Sequence, residues 1–524
     1  MPETRTWQVR WQSAQRYARQ AGHTARAASD AARETWRSAP RHTRQTWRLT
    51  AVSAATGLAV AVVAVAASGP WDSGQRTAER ARAAAGVGTG GEHHGRVRAP
   101  GSADGSGAPP VLPALGGPAH GAVGRGTAPV PTGAGLADAL APLLKDPALG
   151  SLRAASVLDV ATGREVFGSR PGVATTPAST VKLATAVAAL AELGADHRID
   201  TTVVSGAKDR VVLVGGGDPT LTARAPKGGT EEQPANLRTL ADDTARALKK
   251  HKTTEITLGY DTSAYSGPVL HPIGPNENIA PVTALMADEA RLDDSEHGTA
   301  PREADPALAA ARAFADLLHR RGITVHVDTR PAKAPKEADR LAAVHSLPLS
   351  ALVERMLTYS DNDIAEALAR QTAIAVGEPV SFAGAGKAVR TALERQHLPL
   401  SGAVFADGSG LDRADRVSAG LLSHLLLRAS APGHPALRSV VTGLPVAAFT
   451  GTLSNRYAGQ TAGAGAVRAK TGTLTGVNTL AGTVVDADGR LLVFAFMTSG
   501  TTDAQGAQEA LDKLASAVAN CGCR

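Results

Sequence analysis

Nineteen consecutive residues, Leu49 to Ala67, carry no charge and are mostly Ala and Val. As a helix this run reaches about 28 Å, close to the thickness of a bilayer's hydrocarbon. Trp47 and Trp71 flank it as interfacial aromatics would, and all five tryptophans lie in the first 71 residues. A buried core helix is the competing reading, which the tryptophan pair disfavours. The chain therefore divides into a tail 1–48, a transmembrane helix 49–67 and everything beyond.

Charge gives the orientation. Ten Arg and three acidic residues in 1–48 account for the whole formal charge of +7, so the remainder is neutral overall. The basic side belongs in the cytoplasm, which places the later residues outside the membrane. A cleaved signal peptide ending near Ala64-Val65-Ala66 is the alternative. A domain that grips phosphates needs a basic surface of its own, so no nucleic-acid partner is expected.

Residues 68–134 are rich in Gly, Ala, Pro and His. They read as a flexible linker able to hold a domain about 40 to 50 Å from the membrane. His93-His94 lies there without other ligands and reads as solvated. Cysteine occurs only at 521 and 523, which excludes a four-cysteine zinc site or iron–sulfur cluster. A Cys-Gly-Cys bridge and two free thiols both remain open.

The globular part begins near Gly135. Leu136–Leu144 reads as a short helix, and Ala154–Asp159 with Val166-Phe167 as a hairpin. Thr176-Pro177 reads as a helix start, an N-cap followed by proline, with the helix running to about Leu193. It carries Ser179-Thr180-Val181-Lys182. Residues three apart share a helix face, and the first turn favours a developing anion. A desolvated Lys182 near another cation would lose proton affinity and could take the serine proton. Alone the motif is weak, since about one Ser-x-x-Lys arises by chance at this length. Ser205-Gly206-Ala207-Lys208 is a second copy and reads as a strand–strand turn.

Two further elements change the odds. Ser360-Asp361-Asn362 forms a polar break between helical runs 347–359 and 364–375. Lys470-Thr471-Gly472-Thr473 ends a short strand at 466–469, followed by a hairpin at 479–485 and 491–497. Gly472, at a sheet edge, is expected to let a substrate backbone approach.

In this order the three motifs resemble the penicillin-binding proteins and serine β-lactamases. Gly215-Gly216-Gly217-Asp218-Pro219-Thr220-Leu221, Asp407-Gly408-Ser409-Gly410-Leu411 and Gly451-Thr452-Leu453 narrow the likeness. They resemble the D-alanyl-D-alanine carboxypeptidase/endopeptidases, the low-molecular-mass class C penicillin-binding proteins or peptidase family S13. The 215 segment lacks the Gly-Lys-Ser/Thr of a phosphate loop and reads as a structural turn. The likeness covers about 135–515.

The resemblance implies an α/β (α+β) fold: a β-lactamase/transpeptidase-like domain with an antiparallel five-stranded sheet flanked by helices. The 181 residues from Ser179 to Ser360 leave room for an inserted β-rich domain. The implied catalytic domain is 135–204 plus 346–524. The insert is 205–345, with a nested subdomain near 227–270, and a last helix at about 503–519 packs on the sheet.

The resemblance also implies a serine DD-peptidase acting on peptidoglycan stem peptides, with Ser179 forming an acyl-enzyme at the D-Ala-D-Ala bond. Lys182 is then the base and Ser360 relays the proton. Asn362 holds substrate and orients Lys182. Lys470 lowers the proton affinity of Lys182 and, with Thr471, Gly472 and Thr473, binds the terminal carboxylate. Amides of Ser179 and Thr473 form the oxyanion hole. β-Lactams become covalent inhibitors, and no metal or cofactor is expected.

Three departures from the family pattern stand out: Asp363 after Asn362, Asp412 in a position usually Ser, and Ile273–Ile279 without the aromatic residues associated with the peptide-contacting wall. A class A β-lactamase would need a Glu-x-x-Leu-Asn context, which Glu366, Glu378 and Glu394 lack. A penicillin sensor without turnover is the rival from a different class.

Overall fold

The computed structural model describes residues 128–225, 232–457 and 462–523. The tail 1–48, the proposed transmembrane helix 49–67 and the linker up to 127 lie outside the described residues. Among those described, no helix is long and apolar enough to cross a membrane.

Period-two patterning explains the first sheet. Its strands run Val467–Leu474, Val477–Val485, Leu491–Ser499, Leu152–Asp159 and Glu165–Ser169, all antiparallel. Along Leu491–Ser499, Val493, Ala495 and Met497 face one core while Leu492, Phe494 and Phe496 face another. Both faces are buried, so the strand reads as a continuous apolar run. On one side the Ala504–Ala519 helix packs with Leu136 and Leu140 of the Gly133–Leu140 helix. On the other lie helices Lys182–Leu193, Leu349–Tyr359, Asn362–Val376, Phe382–Arg395 and Ala419–Ser430.

The first helix starts slightly before the expected boundary. Thr132 caps it by accepting from the Gly135 N–H, and the Thr132 N–H donates to the Cys523 carbonyl at 2.8 Å. Cys521 and Cys523 are joined as a disulfide, the bridged alternative of the two.

Residues 200–345 carry a second sheet in the order Thr324–Val327, Glu255–Asp261, Arg210–Gly215, Asp200–Ser205, Arg340–His345. It is not simply β-rich. Two of its pairings are parallel, and parallel neighbours need crossovers, supplied by helices Leu237–Lys250 and Pro306–His319. The segment near 227–270, read from the sequence as a nested subdomain, contributes one of those helices and one of those strands. Its helix and its strand Glu255–Asp261 share the core of the main sheet, so they are layers of the insert itself.

The glycine-rich segment forms a seam between the two lobes. Gln371 Nε2 donates to the Gly216 carbonyl at 2.7 Å and Tyr265 Oη donates to that of Gly217 at 3.2 Å. Gly217 has φ +101°, and a Cβ there would lie 2.2 Å from Tyr265 Oη, so only glycine fits. Arg370 is fully buried between the rings of Tyr265 and Phe382, its guanidinium carbon 5.6 and 4.2 Å from their centroids.

Candidate active site

The first turn after Pro177 is tighter than the expected α-helix. Ala178–Val181 is a 3-10 turn, and the α-helix proper starts at Lys182. Thr176 does not cap it; its hydroxyl is engaged with Arg413 and Arg416. Ala178 adopts φ +49°, a left-handed conformation costing about 1 kcal/mol or more in a residue with a Cβ. That kink leaves Ser179 half-buried at the mouth, while Lys182 behind it is fully buried.

Lys182 Nζ lies 3.1 Å from Ser179 Oγ, 2.7 Å from Asn362 Oδ1 and 2.6 Å from the Ser409 carbonyl oxygen. Burial pushes the amine down to about 8, against the pull of the Asp407, Asp361, Glu366 and Asp415 carboxyls. Near-neutral proton affinity within hydrogen-bond reach of a hydroxyl is what a general base needs.

Helix-terminal chemistry creates the second element. Ser360 ends the Leu349–Tyr359 helix in the left-handed region at φ +60°, and Asp361 caps the next helix by accepting from Ile364 N at 3.0 Å. Asn362 is thus the first residue of its helix and faces Lys182. Its Nδ2 donates to the Asn278 carbonyl at 2.9 Å, which fixes which end of the amide meets the lysine. Ser360 is half-buried, and among the described residues no hydrogen bond joins its hydroxyl to Ser179, Lys182 or Lys470.

The third motif lies within a strand, not past its end: Val467–Leu474 contains Lys470–Thr473 at the edge of the first sheet. Lys470 is fully buried and donates to the Thr471 carbonyl at 2.8 Å. Burial and the neighbouring Lys182 charge hold it well below an ordinary lysine. The Thr471 hydroxyl bonds that of Thr452 at 2.8 Å, and Thr473 is exposed at the edge.

The side of Gly472 where a side chain would stand is filled by the protein itself. A Cβ there would lie 2.2 Å from Thr479 Oγ1, 2.7 Å from the Pro177 carbonyl and 3.1 Å from Ser179 N. The missing side chain lets the strand close on the turn that carries Ser179. Thr479 stitches the same contact, donating to the Pro177 carbonyl at 2.8 Å.

Asp363 is buried and structural, paired with Arg302 at 2.8 Å and accepting from Ala280 N at 2.9 Å. The Asp407–Asp412 loop is the component whose part in the site went unread: the motif was visible, but nothing in it announced that Ser409 offers a main-chain carbonyl to Lys182.

Residues 136–297 and 293–520 match the D-Ala-D-Ala carboxypeptidase 3 (S13) family. A carboxypeptidase of Mycobacterium tuberculosis is 38% identical over 408 residues, covering 76% of this chain and 86% of that protein. Carboxypeptidase DacB of Mycolicibacterium smegmatis is 40% identical over 410 residues, with the same coverage of each chain. Penicillin binding protein 4 of Haemophilus influenzae shares the fold, with a TM-score of 0.58 at 23% identity, over 73% of this chain and 97% of that one. Its architecture, like this one, combines sheets and helices in a mixed α/β arrangement. With the match running through both lobes, the chain belongs to the D-Ala-D-Ala carboxypeptidase 3 (S13) family.

Proposed function

We propose that this chain is a serine DD-peptidase that cleaves the D-Ala-D-Ala bond of peptidoglycan stem peptides and is acylated by penicillin. One observation carries the reading: Asn362 Oδ1, from a distant part of the chain, converges with Lys182 Nζ and Ser179 Oγ, with the Lys470–Thr473 strand packed on the same turn.

The neutral Lys182 amine takes the Ser179 proton as Oγ attacks the carbonyl carbon of the penultimate D-Ala. Amides of Ser179 and Thr473 receive the oxyanion. Ser360 passes a proton to the departing D-Ala amine, and Asn362 holds the peptide amide. Lys470 lies buried behind the sheet edge, and the hydroxyls of Thr471 and the exposed Thr473 take the terminal carboxylate. Water, activated by Lys182, then frees Ser179. A β-lactam acylates the same oxygen, but its retained ring blocks that water. The uncharged run after the Arg-rich tail supports a membrane anchor with the catalytic part outside the cytoplasm.

Labelling with a fluorescent penicillin tests the assignment. The wild type is expected to take one label per chain and Ser179→Ala none; equal labelling of both removes Ser179 from the role. Release of D-Ala from a D-Ala-D-Ala peptide separates an enzyme from a sensor that acylates without turnover.

A further inference from the structure

A neutral primary amine has two N–H groups and one lone pair. Around Lys182 Nζ, two neighbours only accept: Asn362 Oδ1 at 2.7 Å and the Ser409 carbonyl at 2.6 Å. If both N–H groups are spent on them, the lone pair faces the third neighbour, the Ser179 hydroxyl at 3.1 Å. With either acceptor gone, the amine can turn an N–H toward Ser179 and point its lone pair elsewhere. The Ser409 carbonyl therefore matters for direction, and its own placement has an identifiable cause.

That cause is Asp407. Its Oδ1 accepts from Ser409 N at 3.0 Å and Gly410 N at 2.6 Å. Its Oδ2 accepts from Ser409 Oγ at 3.0 Å, Asp412 N at 2.8 Å and His271 Nε2 at 2.9 Å. The carboxylate thus winds the 407–412 loop around itself. Both glycines wedge that loop into place. A Cβ on Gly408 would lie 2.8 Å from the Ala365 carbonyl, and one on Gly410, at φ +86°, would lie 2.1 Å from that of Ala178. Thr185 Oγ1 donates to the Gly408 carbonyl at 2.7 Å, and Gly408 N donates to Glu366 Oε1 at 2.9 Å.

His271 comes from the insert. Its side chain is 1% exposed and its ring stands edge-on to Phe382 at 5.1 Å. Ile273 N donates to its Nδ1 at 3.3 Å, which leaves the Nε2 proton for Asp407.

We propose that Asp407, clamped by His271 of the inserted segment, is a positioning residue for the reaction: it sets the Ser409 carbonyl so that the Lys182 lone pair is aimed at Ser179. This rests on the reading of Lys182 as the base.

The test uses the full chain and the second-order rate of acylation by a penicillin, measured at a pH high enough that the rate no longer rises. Five proteins are compared: wild type, Ser179→Ala, Asp407→Asn, His271→Ala and His271→Gln. Asp407→Asn preserves size but turns an N–H₂ toward groups that need an acceptor. Its plateau rate should fall about tenfold or more, as small misplacements of reacting groups do, while labelling still reaches one per chain. His271→Ala should fall in the same sense, and His271→Gln, which can donate from nearly the same place, should return to within about twofold of wild type.

Thermal unfolding shows whether each variant is folded; if Asp407→Asn is not, the two His271 variants decide. A plateau within twofold of wild type for folded Asp407→Asn or for His271→Ala overturns the proposal, as does a His271→Gln no faster than His271→Ala. Labelling of Ser179→Ala at the wild-type level would instead overturn the parent reading. An inert Ser179→Ala alongside unchanged Asp407 and His271 variants would defeat the positioning role alone.

Discussion

Lys182 and Asn362 stand 180 residues apart in sequence and share a 2.7 Å hydrogen bond. The other end of the same amide is held by the Asn278 carbonyl. One side chain thus joins the nucleophile's helix, the helix break at 360–362 and the inserted segment. The insert helps to hold the amide that meets Lys182. A disturbance of its docking should reach the reaction without touching a substrate contact.

The rate of acylation should report the Lys182 amine directly. With burial holding it at about 8, the neutral base predominates above that pH, and the rate should fall about tenfold per pH unit below it. Asn362→Asp would place a carboxylate against the ammonium, favour the protonated form and move this limb to higher pH by about one unit or more. A β-lactam acylation profile on both proteins checks it. A flat wild-type profile from pH 6 to 9, or a downward shift in the variant, contradicts the assignment.

Replacing the base should separate activity from stability. Lys182→Met is expected to lower acylation by about two to four orders of magnitude. It also removes a buried amine whose folded pKa is depressed from 10.5 to about 8. The unfolded chain binds the extra proton between those values, so the wild type gains stability as pH rises through that window and lacks this gain at pH 7. Methionine lifts the penalty, while the Asn362 and Ser409 oxygens lose a donor at about 1–3 kcal/mol each. The terms oppose, so the melting temperature should change little while the label is lost. A large drop in melting temperature would show that the lysine holds the fold together.

Local patterns revealed much of this arrangement, and the reasons are physical. The continuous apolar run 491–497 behind the turn Asp486-Ala487-Asp488-Gly489 marks the second strand of a hairpin. Ser179, Lys182, Asn362 and Lys470 were readable because their chemistry is concentrated in short motifs. The parallel pairing of Glu255–Asp261 was not, since nothing in a strand's own residues names its neighbour. Gly472 was only half legible for a similar reason: a glycine shows that space is needed, but the packing on its Cβ side belongs to residues 177–179 and 479. The Ser409 carbonyl was hidden more deeply, because a main-chain acceptor leaves no trace in residue type.

Docking of the insert should be sensitive at Arg302. Its guanidinium pairs with the buried Asp363 at 2.8 Å and donates to the Glu289 carbonyl at 2.5 Å. Arg302→Met strands a buried carboxyl and should cost about 3–5 kcal/mol, whereas adding Asp363→Asn should recover part of that loss. Denaturant unfolding of both proteins measures it. A double variant no more stable than Arg302→Met would mean that the pair is not coupled.

Gly472→Ala is the sharpest test of how the sheet edge meets the nucleophile. The added methyl would sit 2.2 Å from Thr479 Oγ1, which can rotate, but also 2.7 Å from the Pro177 carbonyl, which is main chain. Relief requires the strand and the Ser179 turn to part by a substantial fraction of an ångström. Overpacking of this kind costs about 1–3 kcal/mol, a modest loss for a sheet with an extended core on each face. The proposed oxyanion site should suffer more, because it would need the Ser179 and Thr473 amides at a fixed separation, and losing one such donor costs about 100- to 1,000-fold. The variant should therefore fold and keep Ser179, yet acylate about a hundredfold more slowly. Thr479→Ala/Gly472→Ala, which removes the clashing hydroxyl, should recover little, since the main-chain clash remains. Wild-type acylation by Gly472→Ala would mean that strand and turn are not apposed as described.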